Sequence, residues 1–194
     1  MRKFEAISVL LILGLMVYRI TFGVELQVFL RVMLTLMAIF YMWFGLFLFN
    51  RTRPLDLFDK WKSKKLSLYH ITGSITFGFL YSFSFITIMY AVNFYAAMNT
   101  MILLAFLFNI SILALCYFSL WQGKVEASFL KQFLVRSWVL ALLFAGMMLV
   151  PLDQRLNILY KNYPDFIEAY NQYLEDPDHP ESLQRLKEER SAFR

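Results

Sequence analysis

The sequence has few of the residues that catalytic and metal-binding sites most often use. It contains one cysteine, Cys116, and two histidines, His70 and His179. A single cysteine excludes an intrachain disulfide and a metal site built from cysteines. Cys116 lies in an apolar run with no base visible beside it, so we interpret it as a small core residue. The histidines lie in different segments, His70 at one end of an apolar run and His179 in a polar tail, so we do not expect them to act together.

Charged residues are scarce as well, and their distribution is uneven. They make up 17% of the chain, and 59% of the residues are hydrophobic, whereas about a quarter of a typical soluble domain is charged. Residues 1–150 contain five acidic residues, and residues 151–194 contain nine. This composition excludes a single soluble core. It predicts an all-α, polytopic integral membrane protein with a transmembrane domain at 1–150 and a polar, helical extramembrane tail at 151–194.

Sequence motifs of well-known catalytic chemistry are missing. There is no glycine-rich phosphate loop, no nucleophile elbow and no HExxH zinc motif. The segment 175–181, EDPDHPE, offers carboxylates, but it lacks the spacing of an EF-hand calcium loop and is typical of a solvated turn. Positive charge lies in short loops between apolar runs rather than in a basic groove, which argues against a nucleic-acid partner. We therefore expect no enzymatic activity, no cofactor and no metal.

Five apolar runs are long enough, or nearly long enough, to cross a bilayer. A helix needs about 20 residues to span the hydrocarbon core of roughly 30 Å. The first run is the shortest, and it is either a span that continues to about Phe22 while Arg19 reaches the interface or a cleaved signal peptide. The small residues that signal cleavage requires are poorly represented there, which favours a span. The predicted spans lie near 4–22, 26–49, 67–92, 101–121 and 133–150.

The distribution of lysine and arginine predicts the orientation of these spans. Ten of these residues fall at the N-terminus and in the loops at 50–65 and 122–131, whereas only Arg19 and Arg31 fall on the opposite side when the tail is excluded. Short loops rich in lysine and arginine remain in the cytoplasm. We therefore expect a cytoplasmic N-terminus and a C-terminal tail outside. The Phe- and Met-rich composition with short loops suggests the inner (plasma) membrane of a bacterium.

The basic loop at 50–65, NRTRPLDLFDKWKSKK, has the pattern of a short interfacial helix. Pro54 suits a first helical position, and large apolar residues follow at three-residue spacing, with lysines on the remaining face and at the end. Such a helix either orients the protein on anionic lipid or docks a soluble partner or a lipid headgroup. The residues predicted to make these contacts are Leu55, Phe58, Trp61, Lys62, Lys64 and Lys65.

Small and polar residues within the spans predict close helix packing. Ser74, Gly78 and Ser82 recur every four residues and share one helix face, and small residues let helices approach closely in lipid. Asn109 lies in the middle of its span, where an amide must be hydrogen-bonded, and we expect it to face the hydroxyl-rich side of 67–92. The alternatives are a polar path through the membrane and a ligand contact by Asn109.

Few charges lie within the spans. Arg19, Glu25 and Arg31 are expected at similar depth near the outer face, either as a local ion-pair cluster or as an anion-binding site. Arg136, near the inner end of the last span, is expected to extend its guanidinium to the interface. No Asp or Glu lies deep within a predicted span, which counts against a transporter coupled to protons or sodium.

The C-terminal tail is predicted to contain two or three short amphipathic helices. Its central helix begins at Pro164 and has an apolar stripe along one side. One such unit cannot bury its own apolar face, so the faces pack on each other, on the membrane or on another protein. The residues predicted to form the face toward a partner are Phe166, Ile167, Tyr170 and Leu174.

The sequence leaves three classes of function open. The first is a non-catalytic membrane subunit, scaffold or assembly factor that binds a partner protein through its packed spans or its tail. The second is a small oligomeric transporter or channel, and the third is a membrane enzyme acting on a lipid-like substrate. The missing catalytic motifs and the amphipathic tail favour the first class. The expected partners are the lipid bilayer and either another membrane protein or further copies of this chain.

Overall fold

The structure, a computed structural model, describes residues 1–23, 25–50, 68–123, 126–177 and 179–191. All regular secondary structure within these ranges is helical. In chain order the helices are α1 (Arg2–Phe22), α2 (Gln27–Asn50), α3 (Leu68–Val92), α4 (Met98–Gln122), α5 (Ala127–Leu149), α6 (Leu152–Tyr160), α7 (Pro164–Glu175) and α8 (Pro180–Ser191).

Five of these helices, α1 to α5, are long and apolar enough to cross a membrane. Their apolar segments contain 20 to 25 residues, with mean hydropathies between 1.7 and 2.4. The predicted all-α, polytopic membrane architecture with shorter tail helices is therefore confirmed. The first helix continues to Phe22, as a span requires. The last one begins at Ala127, earlier than the predicted 133, because the more polar residues at its start are compatible with a helix although they lower the local hydropathy.

The chain divides into two compact units. The first contains Met1–Ala6 and Leu34–Leu149, and the second contains Ile7–Met33 and Val150–Arg194. One division lies between Leu149 and Val150, next to the predicted start of the tail at 151. Most of α1 and the start of α2, which we expected to belong to the transmembrane domain, are grouped with the tail. Within this unit, Arg19 of α1 contacts Tyr160 of α6, and Asn162 bonds to Phe22.

Large aromatic side chains form the centre of the first unit. The rings of Tyr41 and Tyr81 lie 5.5 Å apart, and those of Phe49 and Phe133 lie 4.6 Å apart. These residues come from α2, α3 and α5, so their contacts hold three helices together, and α4 packs against both α3 and α5. Aromatic pairs of this kind each contribute about 0.5–1.5 kcal/mol beyond the area that they bury. Packing of this kind matters in lipid, where the hydrophobic effect does not drive helices together.

The connection between α3 and α4 contains two residues with unfavourable backbone geometry. Phe94 has φ of 51° and Ala97 has φ of 62°, both in the left-handed region. This region costs an L-residue roughly 1–2 kcal/mol. Phe94 is buried and Ala97 is exposed. At the other end of α4 the same geometry falls on Gly123, with φ of 64°, where it is accessible without that cost.

The second unit contains the three tail helices, α6, α7 and α8. Two of them begin with a proline, Pro164 in α7 and Pro180 in α8, where the fixed φ and the missing N–H are tolerated. α7 packs against both α6 and α8. The amphipathic faces of the tail are therefore buried largely within the chain. The buried side chains of these helices are Leu156, Tyr160, Phe166, Ala169, Tyr170 and Leu186.

Candidate functional site

An ion pair lies among the spans of the first unit. Arg136 of α5 donates from Nε to Glu5 Oε1 at 2.7 Å and from Nη2 to Glu5 Oε2 at 2.7 Å. This bidentate geometry is the strong form of an arginine–carboxylate interaction. Glu5 is 8% exposed, so its charge is largely removed from solvent. The pair joins the first turn of α1 to α5.

Tyr41 of α2 completes this cluster. Its hydroxyl donates a hydrogen bond to Glu5 Oε1, and Nε of Arg136 donates to the hydroxyl oxygen at 3.4 Å. The Tyr41 ring is stacked on Phe85 of α3, with the centroids 5.4 Å apart. Because α1, α2 and α5 each contribute one member, three helices meet at a single carboxylate. We call Glu5, Tyr41 and Arg136 the carboxylate cluster.

The guanidinium of Arg136 has further contacts. Nη1 donates to the carbonyl oxygen of Gln132 at 2.9 Å, and the guanidinium carbon lies 5.4 Å from the centroid of the Phe49 ring. A charge within a membrane is costly unless it is paired. Glu5 neutralises the guanidinium where it lies, and the expectation that Arg136 extends to the interface stays a prediction.

Sequence reasoning misses this cluster, although one signal for it exists. Glu5 lies near the start of α1, and Arg136 is the tenth residue of α5. The distribution of lysine and arginine assigns the starts of both helices to the same side of the membrane. Two opposite charges near the same face of the bilayer can form an ion pair. Because 131 residues separate them, no local sequence pattern indicates that they are neighbours.

The small-residue face of α3 packs on α2. A Cβ placed on Gly78 would lie 2.7 Å from the carbonyl oxygen of Tyr41, and one placed on Gly45 would lie 3.0 Å from the Cα of Gly78. Ser74 accepts a hydrogen bond from Nδ2 of Asn50 at 2.8 Å. The structure therefore brings Ser74 and Gly78 to this interface. Ser82 is also buried.

Asn109 lies at the interface between α3 and α4. Its Nδ2 donates to Ser84 Oγ at 3.0 Å and to the carbonyl oxygen of Ala105 at 2.8 Å. Ser84 in turn donates to the carbonyl oxygen of Leu80 at 3.1 Å. The amide of Asn109 and a hydroxyl of α3 are therefore joined in a contact between two spans.

Arg19, Glu25 and Arg31 have different surroundings in the second unit. The guanidinium carbon of Arg19 lies 5.0 Å from the centroid of the Tyr160 ring, which is a cation–π contact. Glu25 accepts a hydrogen bond from the hydroxyl of Tyr18 at 3.0 Å. Arg31 is half-buried. An ion-pair cluster or anion site that combines all three stays a prediction.

The residues that follow α6 contact the end of α1 and the adjacent Gly23. Nδ2 of Asn162 donates to the carbonyl oxygen of Phe22 at 3.3 Å. Gly23 has φ of 114°, a conformation that favours glycine, and a Cβ on it would lie 3.4 Å from Nδ2 of Asn162 and 3.5 Å from the ring of Tyr163. This contact and that of Arg19 join the tail to the end of the first span.

The predicted partner-facing stripe of the tail is only partly accessible. Phe166 and Tyr170 are buried, with the Phe166 ring 4.3 Å from that of Tyr160. These two side chains therefore lie inside the chain and not on a surface that a partner can reach, because the neighbouring tail helices cover them. Ile167 is half-buried, and Leu174 is 41% exposed. A partner-facing role remains a prediction for Leu174.

The cysteine, the histidine of the spans and the basic loop were also singled out in the sequence. Cys116 is a buried free thiol, and the His70 ring lies 4.3 Å from that of Phe129. Among the residues that the structure describes, no group of three or more His, Cys, Asp and Glu side chains could hold a metal ion. Residues 51–65 of the predicted interfacial helix lie outside the described residues, so its predicted contacts at Leu55, Phe58, Trp61, Lys62, Lys64 and Lys65 stay predictions.

Comparison with known proteins leaves the site to be interpreted from its own chemistry. No family model, curated protein or solved structure matches this chain.

Proposed function

We propose that this chain is a non-catalytic integral membrane subunit, scaffold or assembly factor that binds another membrane protein. It would lie in the inner membrane of a bacterium, with a cytoplasmic N-terminus and the tail outside, as the distribution of lysine and arginine favours. The observation that carries the proposal is that, in the part of the chain that the structure describes, several polar groups of the spans bond to one another. Arg136 pairs with Glu5, Asn109 bonds to Ser84, and Asn50 bonds to Ser74.

Polar groups that bond between helices support a structural role for the spans. A transport path or a catalytic site needs polar side chains that face a substrate. In the described spans, the hydroxyls of Ser74 and Ser84 accept hydrogen bonds from amides of neighbouring helices. Spans joined by these hydrogen bonds are suited to hold their outer surfaces in fixed positions for a partner protein.

A small oligomeric transporter is the second candidate, and one observation favours it. Glu5 is a buried carboxylate in an apolar helix, and intramembrane carboxylates mark proton pathways in many transporters. This candidate predicts a proton-linked flux in vesicles that is lost in Glu5→Gln while the protein remains folded.

The proposal is tested by purifying the tagged full chain, expressed at its native level, in a gentle detergent. The mass of the intact complex is then measured. A second protein at fixed stoichiometry supports the subunit or scaffold function. A chain that emerges alone or as a symmetric homo-oligomer contradicts it, and flux assays then become the next test.

Exposed leucines of the tail allow the contact to be located. Leu174 is 41% exposed and Leu183 is 37% exposed. The double variant Leu174→Ser/Leu183→Ser tests them, and a double variant of the exposed Asn157 and Asn171 to Ser is the control. Loss of the second protein from the leucine variant alone assigns the contact to the tail, whereas retention in both assigns it elsewhere in the chain.

A further inference from the structure

Two buried polar groups of α3 and α4 have no hydrogen-bond partner in the part of the chain that the structure describes. They are the hydroxyl of Thr87 and the side-chain carbonyl oxygen, Oδ1, of Asn109. Thr87 is 0% exposed and Asn109 is 1% exposed. An unpaired polar group is costly inside a membrane, where no bulk water can satisfy it. Each of the two groups therefore requires a partner.

The bonds that Asn109 already makes show that its Oδ1 needs a donor. Its Nδ2 donates to the carbonyl oxygen of Ala105 at 2.8 Å, and a carbonyl oxygen can only accept. This contact fixes the orientation of the amide and leaves Oδ1 on its other side. Ser84 cannot supply the donor, because its hydroxyl hydrogen is used in the bond to the carbonyl oxygen of Leu80.

Thr87 lies on the side of α3 that faces α4. The Phe83 ring lies 5.3 Å from the ring of Phe108, measured between centroids, and Ser84 accepts a hydrogen bond from Asn109. Thr87 follows Phe83 by four residues and Ser84 by three, and residues at these spacings share one face of a helix. The hydroxyl of Thr87 therefore belongs to the same interface as the amide of Asn109.

The directions of the two helices bring these groups toward one turn of the interface. α3 and α4 are joined by residues 93–97 alone, so they run in opposite directions. One turn beyond Ser84 on α3 therefore faces the turn that precedes Asn109 on α4, where Ala105 lies. The side chain of Asn109 points back toward that turn, as its bond to Ala105 requires.

The hydrogen-bonding capacities of the two groups are complementary for one water molecule. The hydroxyl of Thr87 has a hydrogen to donate, and Oδ1 of Asn109 has lone pairs that accept. A water can accept from the first group and donate to the second, and so join side chains that are too far apart to bond directly. Buried waters in proteins typically bond to otherwise unpaired polar groups of this kind.

We propose that a water molecule is bound between α3 and α4, where it accepts a hydrogen bond from Thr87 Oγ1 and donates one to Asn109 Oδ1. It extends the polar contact between Ser84 and Asn109 by one turn toward the α3–α4 connection. The water belongs to this pair of helices, so its presence does not depend on whether the chain binds a partner protein or transports a substrate.

The sign of one substitution distinguishes a bridged hydroxyl from an unpaired one. Thr87→Val replaces the hydroxyl by a methyl group of similar size. If a water bridges the hydroxyl, the melting temperature of the full chain in detergent should fall by about 2–4 °C, because the water and Asn109 lose a partner. If the hydroxyl is unpaired, its removal saves a desolvation cost and the melting temperature rises. A rise or no change overturns the proposal.

The matched control is Thr76→Val, at an exposed position of the same helix. It makes the same chemical change without removing a buried hydroxyl, so the melting temperature should stay the same or rise slightly. An equal fall in Thr76→Val and Thr87→Val would show that the loss is a general effect of valine in α3, and it contradicts the bridge.

A second background tests whether Thr87 acts through Asn109. Asn109→Leu removes the acceptor of the proposed bridge, so Thr87→Val should lower the melting temperature less in that background than in the original chain. An equal fall in both backgrounds contradicts a water shared by the two residues.

A direct measurement locates the water in the unmodified full chain. A crystal or electron cryomicroscopy structure at a resolution that shows ordered waters should contain a water within hydrogen-bonding distance of Thr87 Oγ1 and Asn109 Oδ1. A direct bond between the two side chains, or an interface without a water there, overturns the proposal. This measurement decides the question even if the Thr87 variant is too unstable to purify.

Discussion

At Gly78, the absence of a side chain permits the contact between α2 and α3. The Ala substitution would place a Cβ 2.7 Å from the carbonyl oxygen of Tyr41. This oxygen is a backbone atom, so moving it away costs more energy than moving the end of a flexible side chain. We expect Gly78→Ala to destabilise the protein by about 1–3 kcal/mol, as overpacking does, despite the higher helix propensity of Ala.

Gly73, on the same helix, is the matched control for this prediction. A Cβ at Gly73 meets no atom within 4 Å, so Gly73→Ala should leave the melting temperature in the same detergent unchanged or slightly raised. Equal losses in Gly73→Ala and Gly78→Ala would show that close approach at Gly78 is not what stabilises the interface.

The left-handed geometry of Ala97 provides a stabilising substitution. Ala97 is exposed and has φ of 62°, so Ala97→Gly relieves backbone strain without removing a buried methyl group. We expect a gain of about 1 kcal/mol, measured as a higher melting temperature. The neighbouring Ala96 is also exposed and has no positive φ, and Ala96→Gly should give no gain. A loss of stability in Ala97→Gly contradicts the assignment of strain.

At the level of helices, the carboxylate cluster joins α1, α2 and α5. Removing one member of a buried ion pair costs about 3–5 kcal/mol, because the other charge is left without compensation. Glu5→Gln and Arg136→Gln should each be strongly destabilising, whereas the double variant should cost less than the sum of the two. Lys131→Gln, at an exposed position of α5, is the control. Strictly additive losses in a double-mutant cycle would contradict the coupling.

The tail helices are stabilised by their own buried faces. Phe166 is almost fully buried and Leu174 is 41% exposed, although both belong to the stripe that the sequence assigns to a partner. Phe166→Ala should cost about 3–5 kcal/mol of stability in the tail. Leu174→Ala should cost under about 1 kcal/mol. Limited proteolysis of the full chain measures the difference, and equal susceptibility of both variants would contradict the burial of Phe166.

How much the sequence predicts depends on the range of the interaction. The five spans follow from hydropathy, which is a local property of each segment, and the structure confirms them. The carboxylate cluster depends on which helices are neighbours, and that information is distributed over residues far apart in the chain. Gly45 illustrates the same limit, because a single glycine in an apolar helix gives no sign that it opposes Gly78.

For the whole molecule, an odd number of spans requires the two termini to lie on opposite sides of the membrane. Single cysteines introduced as Lys3→Cys and Lys187→Cys in a Cys116→Ala background test this with a membrane-impermeant maleimide. Both positions are exposed, and the native thiol is buried. We expect labelling of the Lys187→Cys variant from outside and of the Lys3→Cys variant only after permeabilisation. Labelling of both from one side contradicts five spans, and the reverse pattern contradicts the proposed orientation.

The separation of Glu5 and Arg136 has a consequence for the order of events during synthesis. Arg136 is polymerised 131 residues after Glu5, which at roughly 5–20 residues per second is a delay of about 7 to 26 seconds. Throughout that interval the first helix carries a carboxylate whose guanidinium partner does not yet exist. The ion pair of the first span therefore forms only when the last span has been inserted. A nascent chain that stops before α5 retains a Glu5 carboxylate without its guanidinium partner. This unpaired charge distinguishes the incomplete chain from the complete one.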